Sequence, residues 1–235
     1  MSSKKNIIIG PAFPLRGGIA NFNNALCQAF VDSGVDSQIF SFSLQYPSIL
    51  FPGKTQFEEG EAPTGFSIKT IINSVNPFNW WRVARAIRKE KPDYIIIRYW
   101  LPFMAPCLGT IARLVKWGTS IQVIAITDNV IPHEKRAGDS LLTSYFVKPC
   151  DGFVTLSASV LDDLSKFTTC ANKQFVPHPI YNAFGEKVAK QQALQNLGLS
   201  LADKHLLFFG FVRKYKGLDI LLKALADERL KEVKL

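Results

Sequence analysis

The sequence has 235 residues, 47% of them apolar, with 18 phenylalanines, a formal net charge of +9 and a pI near 9.4, so it can bury a substantial core. No apolar run approaches the length of a membrane-spanning helix, and the apolar part of MSSKKNIIIG is too short for a signal peptide. Cys27, Cys107, Cys150 and Cys170 are too scattered for a metal site and are expected as thiols in a reducing cytoplasm. The charge balance favours anionic partners (nucleotide sugars, acidic lipid surfaces or nucleic acid) or simply marks a solvated surface.

Apolar β-rich runs alternate with helical patterns along most of the chain. Asn6 to Gly10 is the first expected strand, followed by a Pro/Gly loop, a helix over about Ile19 to Ser33 and a strand over Ser37 to Ser43. Tyr46 to Gly65, rich in Pro, Gly and Glu, reads as an irregular excursion. A strand over Phe66 to Ile72 then leads to Trp80–Lys91, WWRVARAIRKEK. That segment suits either an amphipathic helix lying on a membrane or a helix packed on a sheet with Trp81, Val83, Ala84 and Ile87 inside. The strand that follows at once favours packing.

Strands over Tyr94 to Arg98, Ile121 to Ile126 and Gly152 to Leu156 alternate with helices over Phe103 to Lys116, Ser140 to Lys148 and a segment ending near Lys166. Ser157 or Ser159 is placed to cap that last helix, and Gln174 to Val176 is short and extended. Such alternation implies parallel βαβ units and a Rossmann-like, doubly wound parallel α/β sheet. Pro177-His178-Pro179 breaks the pattern and sets the expected domains at 1–179 and 180–235. Beyond it come a polar helix over Glu186 to Asn196 and the segment HLLFFGFVRKYKGLDILLKAL, His205 to Leu225. This segment reads as a buried strand over Leu206 to Phe211, a basic loop, and a helix with Leu218, Leu221, Leu222 and Leu225 on one buried face. The final KEVKL looks like the beginning of a further strand.

Three loops carry candidate chemistry. Gly17 and Gly18, in GPAFPLRGGIANF, precede a helix, so backbone amides can approach a phosphate at a helix N-terminus. A glycine-enabled tight turn is the plainer alternative, and neither a Walker loop nor G-x-G-x-x-G is matched. ITDNVIPHEKRAGD concentrates Asp128, Asn129, His133, Glu134, Lys135 and Arg136 directly after a strand, where α/β enzymes place catalytic groups. There His133 or Asp128 would serve as base or orient an acceptor, and Glu134 would bond a hydroxyl. Arg213 and Lys216 in the basic loop suit a diphosphate, which Arg grips bidentately and Lys meets as a point charge.

Taken together and in this order, the three loops resemble the retaining glycosyltransferases of family 4, which have the GT-B fold of two Rossmann-like domains. The resemblance spans the whole chain and is most specific in FFGFVRKYKGLDILLKAL. It implies that Arg213 and Lys216 hold the diphosphate of a nucleotide-sugar donor, and that Gly17 and Gly18 border the donor phosphates. It assigns DNVIPHE to the catalytic loop, with Asp128, His133 and Glu134 catalytic and Asn129 on the acceptor side. Many relatives have a histidine where Asp128 stands. The resemblance also implies a glycan or lipid-linked acceptor and a nucleotide sugar that is a substrate rather than a cofactor, with no metal expected, because protein cations neutralise the leaving group.

The family's later E-x7-E element has no counterpart in these residues. The resemblance therefore implies an acceptor-side domain followed by only the first strand and helix of the donor domain, and an inactive or impaired fragment. Such a unit is expected to leave Phe208, Phe209 and Phe211 in need of cover and to self-associate or to be disordered beyond about Asn182. The expected location is cytoplasmic, at most peripheral at the inner face of a membrane. A non-catalytic module binding a glycan acceptor is the alternative. A nucleic-acid-binding protein is disfavoured, because no recognition helix or zinc motif is evident.

Overall fold

A computed structural model describes residues 4–47, 56–132, 134–180, 185–210 and 212–235. The chain divides into two compact units, Met1–His178 and Pro179–Leu235, each described by itself.

In the first unit, strands that will be covered on both faces are written as near-continuous apolar runs. KNIII, YIIIRY and QVIAIT form β1 (Lys5–Ile9), β4 (Tyr94–Tyr99) and β5 (Gln122–Thr127). With β2 (Asp36–Leu44), β3 (Ser67–Asn73), β6 (Gly152–Thr155) and β7 (Lys173–Phe175), they build a seven-stranded sheet in the order β3-β2-β1-β4-β5-β6-β7. All six pairings are parallel. Ile9 stands opposite Phe40 on one side and Ile97 on the other, and Ile97 stands opposite Ala125; all four are fully buried. The sheet grows outward through β2 and β3, then returns to set β4 beside β1. At such a reversal the flanking loops part at the carboxyl ends of the strands, and this doubly wound α/β topology puts its crevice there.

The connecting helices are α1 (Gly18–Asp32), α2 (Pro77–Glu90), α3 (Ala105–Lys116), α4 (Asp139–Val147) and α5 (Ala158–Leu164), with α3 packed between α2 and α4. α2 begins where it does because the Asn76 carboxamide oxygen accepts from the amides of Phe78 (3.0 Å) and Asn79 (3.3 Å), while Pro77 presets φ in the first turn. Burial pushes the thiols of Cys27, Cys107 and Cys150 up to about 11, 12 and 12, so none is a reactive thiolate at neutral pH. Among the described residues no helix is long and apolar enough to cross a membrane.

The second unit holds α6 (Lys190–Asn196), β8 (Lys204–His205), α7 (Leu218–Leu225) and β9 (Val233–Lys234), with β8 and β9 paired in parallel.

Five expectations are corrected. Trp81 is not inside α2: Trp80 takes that place because its indole N–H reaches the Asn73 carbonyl (2.8 Å), and Trp81, one residue round the helix, points outward. The Ser157 hydroxyl meets Ser159 Oγ (2.8 Å) and makes no bond to an α5 amide, so neither serine caps the helix. Leu206–Phe211 is not a strand over its described part. Only the Leu206 amide finds a partner strand, at the Lys234 carbonyl (2.8 Å), and Leu207 and Phe209 are exposed, because a strand lasts only as far as a neighbour takes up its amides. α7 has no buried residue, and Leu222 is exposed, since two-residue strands offer little surface for a helix to cover. The helix expected over 186–196 starts only at Lys190, after an extended Ala189. Phe211 and His133 lie outside the described residues, as does 48–55 of the Pro/Gly-rich excursion.

Glu90 ties the end of α2 to two strands, accepting from Lys5 Nζ (2.9 Å) and Lys69 Nζ (2.6 Å). These bonds, Lys69 first, hold its carboxyl down to about 2. A depressed carboxyl contributes stability above its unfolded pKa and loses it as pH falls through the folded one. Glu90→Gln is therefore expected to lower stability at pH 7 by about 1 kcal/mol, the pair being partly solvated. Urea melts at a series of pH values should show the variant losing less stability than the wild type between roughly pH 4 and pH 2.

Candidate functional site

Two strand ends and one helix start meet at the carboxyl edge of the first sheet. β1 hands over to the loop 10–17, whose turns are fixed from within: the Ala12 amide donates to Ser41 Oγ (3.0 Å), the Leu15 amide to the Ala12 carbonyl (2.9 Å), and Asn23 Nδ2 to the Pro11 carbonyl (2.8 Å). The Phe13–Pro14 peptide is cis. Gly10 is required by close approach, because a Cβ there would lie 2.6 Å from Asn23 Nδ2 and 3.0 Å from Arg98 Cβ. Segment 56–58 borders the loop, with the Arg16 amide donating to the Gln56 carbonyl (3.0 Å) and the Glu58 amide to the Pro14 carbonyl (2.8 Å). Gly17, with φ 124° and ψ 166°, is in a conformation essentially closed to other residues, and it opens α1 without a side-chain cap. Gly17 and Gly18 are exposed, and among the described residues no atom lies within 4 Å of a Cβ placed on either. A helix start of this kind, with no acid in its first turn, suits an anion.

Beside the loop, Arg98 at the end of β4 is 1% exposed. Its Nε donates to Asp128 Oδ2 (2.7 Å) and its Nη2 to Asp128 Oδ1, a fork on a carboxylate at the end of β5. The guanidinium lies 4.1 Å from the Phe22 ring centre on α1, and Phe22 meets His178 edge-on at 5.5 Å. Nη1 of Arg98 and Oδ1 of Asn23 are buried and have no hydrogen-bond partner among the described residues. Asp128 is thus half-buried and engaged by both oxygens, and Asn129 follows it, half-buried. The loop beyond is anchored through Thr143 on α4. Its hydroxyl donates to the Val130 carbonyl (3.1 Å) and contacts the Tyr99 hydroxyl (3.0 Å), while Tyr99 stacks on Phe146 at 4.1 Å. Desolvation raises the Tyr99 phenol, so it stays neutral. Glu134 is exposed.

A second cluster borders the same edge. The Trp100 indole N–H donates to the Tyr46 hydroxyl (2.6 Å), Tyr46 stacks on Phe103 at 6.1 Å, and Trp100 meets Phe42 edge-on at 6.1 Å. In the second unit, Arg213 and Lys216 are exposed on a turn where the Lys216 amide donates to the Arg213 carbonyl (2.9 Å). Gly217 (φ 70°) then opens α7, whose first turn carries the opposing Asp219.

The edge of the first sheet therefore brings together Gly17, Gly18, Asp128 and Asn129, whereas Arg213 and Lys216 belong to the other unit. Reading the sequence missed Arg98 and Asn23. The signal was present in YIIIRY and QVIAITD: a cation and an acid interrupt apolar runs at the ends of adjacent strands. Among the described residues no group of three His, Cys, Asp or Glu side chains assembles.

Residues 16–180 match the model of the family described as Glycosyltransferase Family 4. No curated protein matches the sequence significantly. Among solved structures, the fold is similar to a putative UDP-N-acetylglucosamine 2-epimerase from Listeria monocytogenes, with TM-score 0.58 and 11% identity over 100% of this chain and 62% of that one. It is similar to the catalytic domain of Starch Synthase IV from Arabidopsis thaliana bound to ADP and acarbose, with TM-score 0.57 and 13% identity over 96% and 66%. A UDP-N-acetylglucosamine 2-epimerase from Rickettsia bellii gives TM-score 0.56 and 14% identity over 99% and 65%. The chain spans less than two thirds of each of these proteins. At such identities the likeness shows the fold alone, and epimerases share it with a synthase.

Removing one member of a buried ion pair leaves the other uncompensated, which costs about 3–5 kcal/mol. Asp128→Ala is expected to destabilise the chain by about that much in urea unfolding. The double variant Arg98→Met/Asp128→Leu should recover most of the loss, because it removes both charges at similar volume.

Proposed function

The chain belongs to Glycosyltransferase Family 4, and from that premise we propose that it serves transfer of a sugar from a nucleotide-diphosphate donor to a glycan or lipid-linked acceptor, with retention at the anomeric carbon. The observation that carries this reading is the glycine-opened start of α1 at the β1–β4 reversal, with no acid in its first turn, inside the segment that matches the family. The amide end of α1 at Gly17 and Gly18 takes a phosphate. The conformation of Gly17 lets the backbone approach without a side chain between.

Arg98 and Asp128 act as a unit. Asp128 fixes the guanidinium, and the pair holds in place the strand ends that border the start of α1. A carboxylate engaged by both oxygens is a poor free base, so Asp128 is assigned to positioning. Asn129, with one carbonyl and one amide group, bonds acceptor hydroxyls, as do His133 and Glu134 on the same loop. The half-buried faces of Trp100 and Phe103 suit an acceptor sugar ring. Arg213 grips the leaving diphosphate and Lys216 adds charge, so the reaction as proposed requires no metal.

A thermal-shift series with UDP-, ADP- and GDP-sugars tests the donor assignment. A ligand present at a hundredfold excess over its dissociation constant stabilises by about 2.7 kcal/mol, a rise of several degrees. At least one nucleotide sugar is expected to raise the melting temperature, EDTA should leave the rise unchanged, and Arg213→Ala/Lys216→Ala should abolish it. No rise with any donor, or a rise indifferent to the double variant, contradicts the assignment. Gly17→Val should also weaken binding, at a stability cost of about 1–3 kcal/mol from strained backbone.

A further inference from the structure

Helix α2 presents two very different faces. Inward, Val83, Ala84 and Ile87 are buried. Outward, at positions one to four residues apart, stand Phe78, Trp81, Arg82, Arg85, Arg88 and Lys89, all exposed. Phe78 is 84% exposed and Trp81 50%, and Val75 just ahead of the helix is 47% exposed. The Arg85 guanidinium lies 4.7 Å from the Trp81 ring centre. Residues 77–91 are all described, and their only acid, Glu90, turns away to Lys5 and Lys69. The outer face therefore carries four cations and no anion. Along the helix the two characters are graded: apolar groups occupy the first turns and cations the rest.

We propose that this face is a docking surface for an anionic lipid bilayer, with Val75, Phe78 and Trp81 entering the interface and Arg82, Arg85, Arg88 and Lys89 meeting lipid phosphates. Large aromatic rings left in water gain by leaving it, and an indole suits the headgroup boundary in particular. Each cation near an anionic leaflet adds attraction, with no acid on the face to offset it. A convex helix with aliphatic and aromatic groups at its tip offers no groove for a nucleic-acid strand, so lipid is the better match in charge and shape.

Because α2 runs back antiparallel to β3 and β4, its first turn lies at the carboxyl edge of the sheet, the edge that carries Gly17, Asp128 and Asn129. Docking by that end sets the site beside the headgroups, where a lipid-linked acceptor would be presented. Only this last step rests on the transfer reading; the docking itself does not.

Co-sedimentation of the full 235-residue chain with phosphatidylcholine vesicles, and with phosphatidylcholine–phosphatidylglycerol vesicles, tests the surface. Binding is expected to the anionic vesicles only, falling as salt is raised. Arg82→Gln/Arg85→Gln should lower the partition coefficient about 30-fold. Phe78→Ser/Trp81→Ser should lower it at least about tenfold. Both variants change exposed side chains, and their melting temperatures and nucleotide-sugar response should match the wild type. Equal partition to both vesicle types, or anionic binding unaffected by either variant, overturns the proposal. So does retention of a DNA oligonucleotide with no partition to anionic vesicles.

Discussion

A guanidinium removed almost wholly from water is the constraint on which the edge of the first unit depends. Burying the charge of Arg98 is tolerable only with an excellent partner, and Asp128 supplies both oxygens. That requirement aligns the carboxyl ends of two neighbouring strands, β4 and β5. It also reaches across to α1, since Phe22 lies against the guanidinium and Asn23 holds the loop at Pro11. The space is so tight that residue 10 has no room for a Cβ. Loop, helix start and two strand ends are thereby set by one charge. The pair is weak evidence of stability in itself, for an apolar pair of equal volume would serve the fold as well. It stands at the topological reversal, beside the loop that opens α1.

Much of the architecture was legible because hydrophobic pattern and chain order determine it. Runs such as KNIII and QVIAIT must be buried on both faces, and helices between them force parallel pairing, so the strands of the first unit lie within a residue or two of expectation. Side-chain detail was less legible. Trp80 and Trp81 are adjacent and alike in composition, and only the Asn73 carbonyl, brought there by the turn after β3, decides which one goes inside. The partnership of Arg98 with Asp128 spans thirty residues and depends on strand order, which no local window contains. In the second unit, pattern alone misled: LLFFGF has the composition of a buried strand, yet β8 and β9 give it almost nothing to pair with.

Fold and chemistry separate clearly in this protein. The same α/β arrangement is found in proteins described as 2-epimerases and as a starch synthase, so the layers themselves do not select a reaction. What narrows the choice is the family match over residues 16–180 together with the groups that share one edge of the sheet. The described cavities at the amino-terminal edge contrast with it. The one bordered by Lys5, Lys69 and Glu90 is lined by groups already paired with one another, which suits structural cross-linking rather than turnover.

Amide hydrogen exchange of the intact chain, with and without a stabilising nucleotide sugar, tests the placement of the site most directly. Protection is expected to rise at 10–20, 98–101 and 126–131, with the amino-terminal edge of the sheet unchanged. Protection confined to the amino-terminal edge, around Lys5, Lys69 and Glu90, or absent from the start of α1 at saturating ligand, would contradict it.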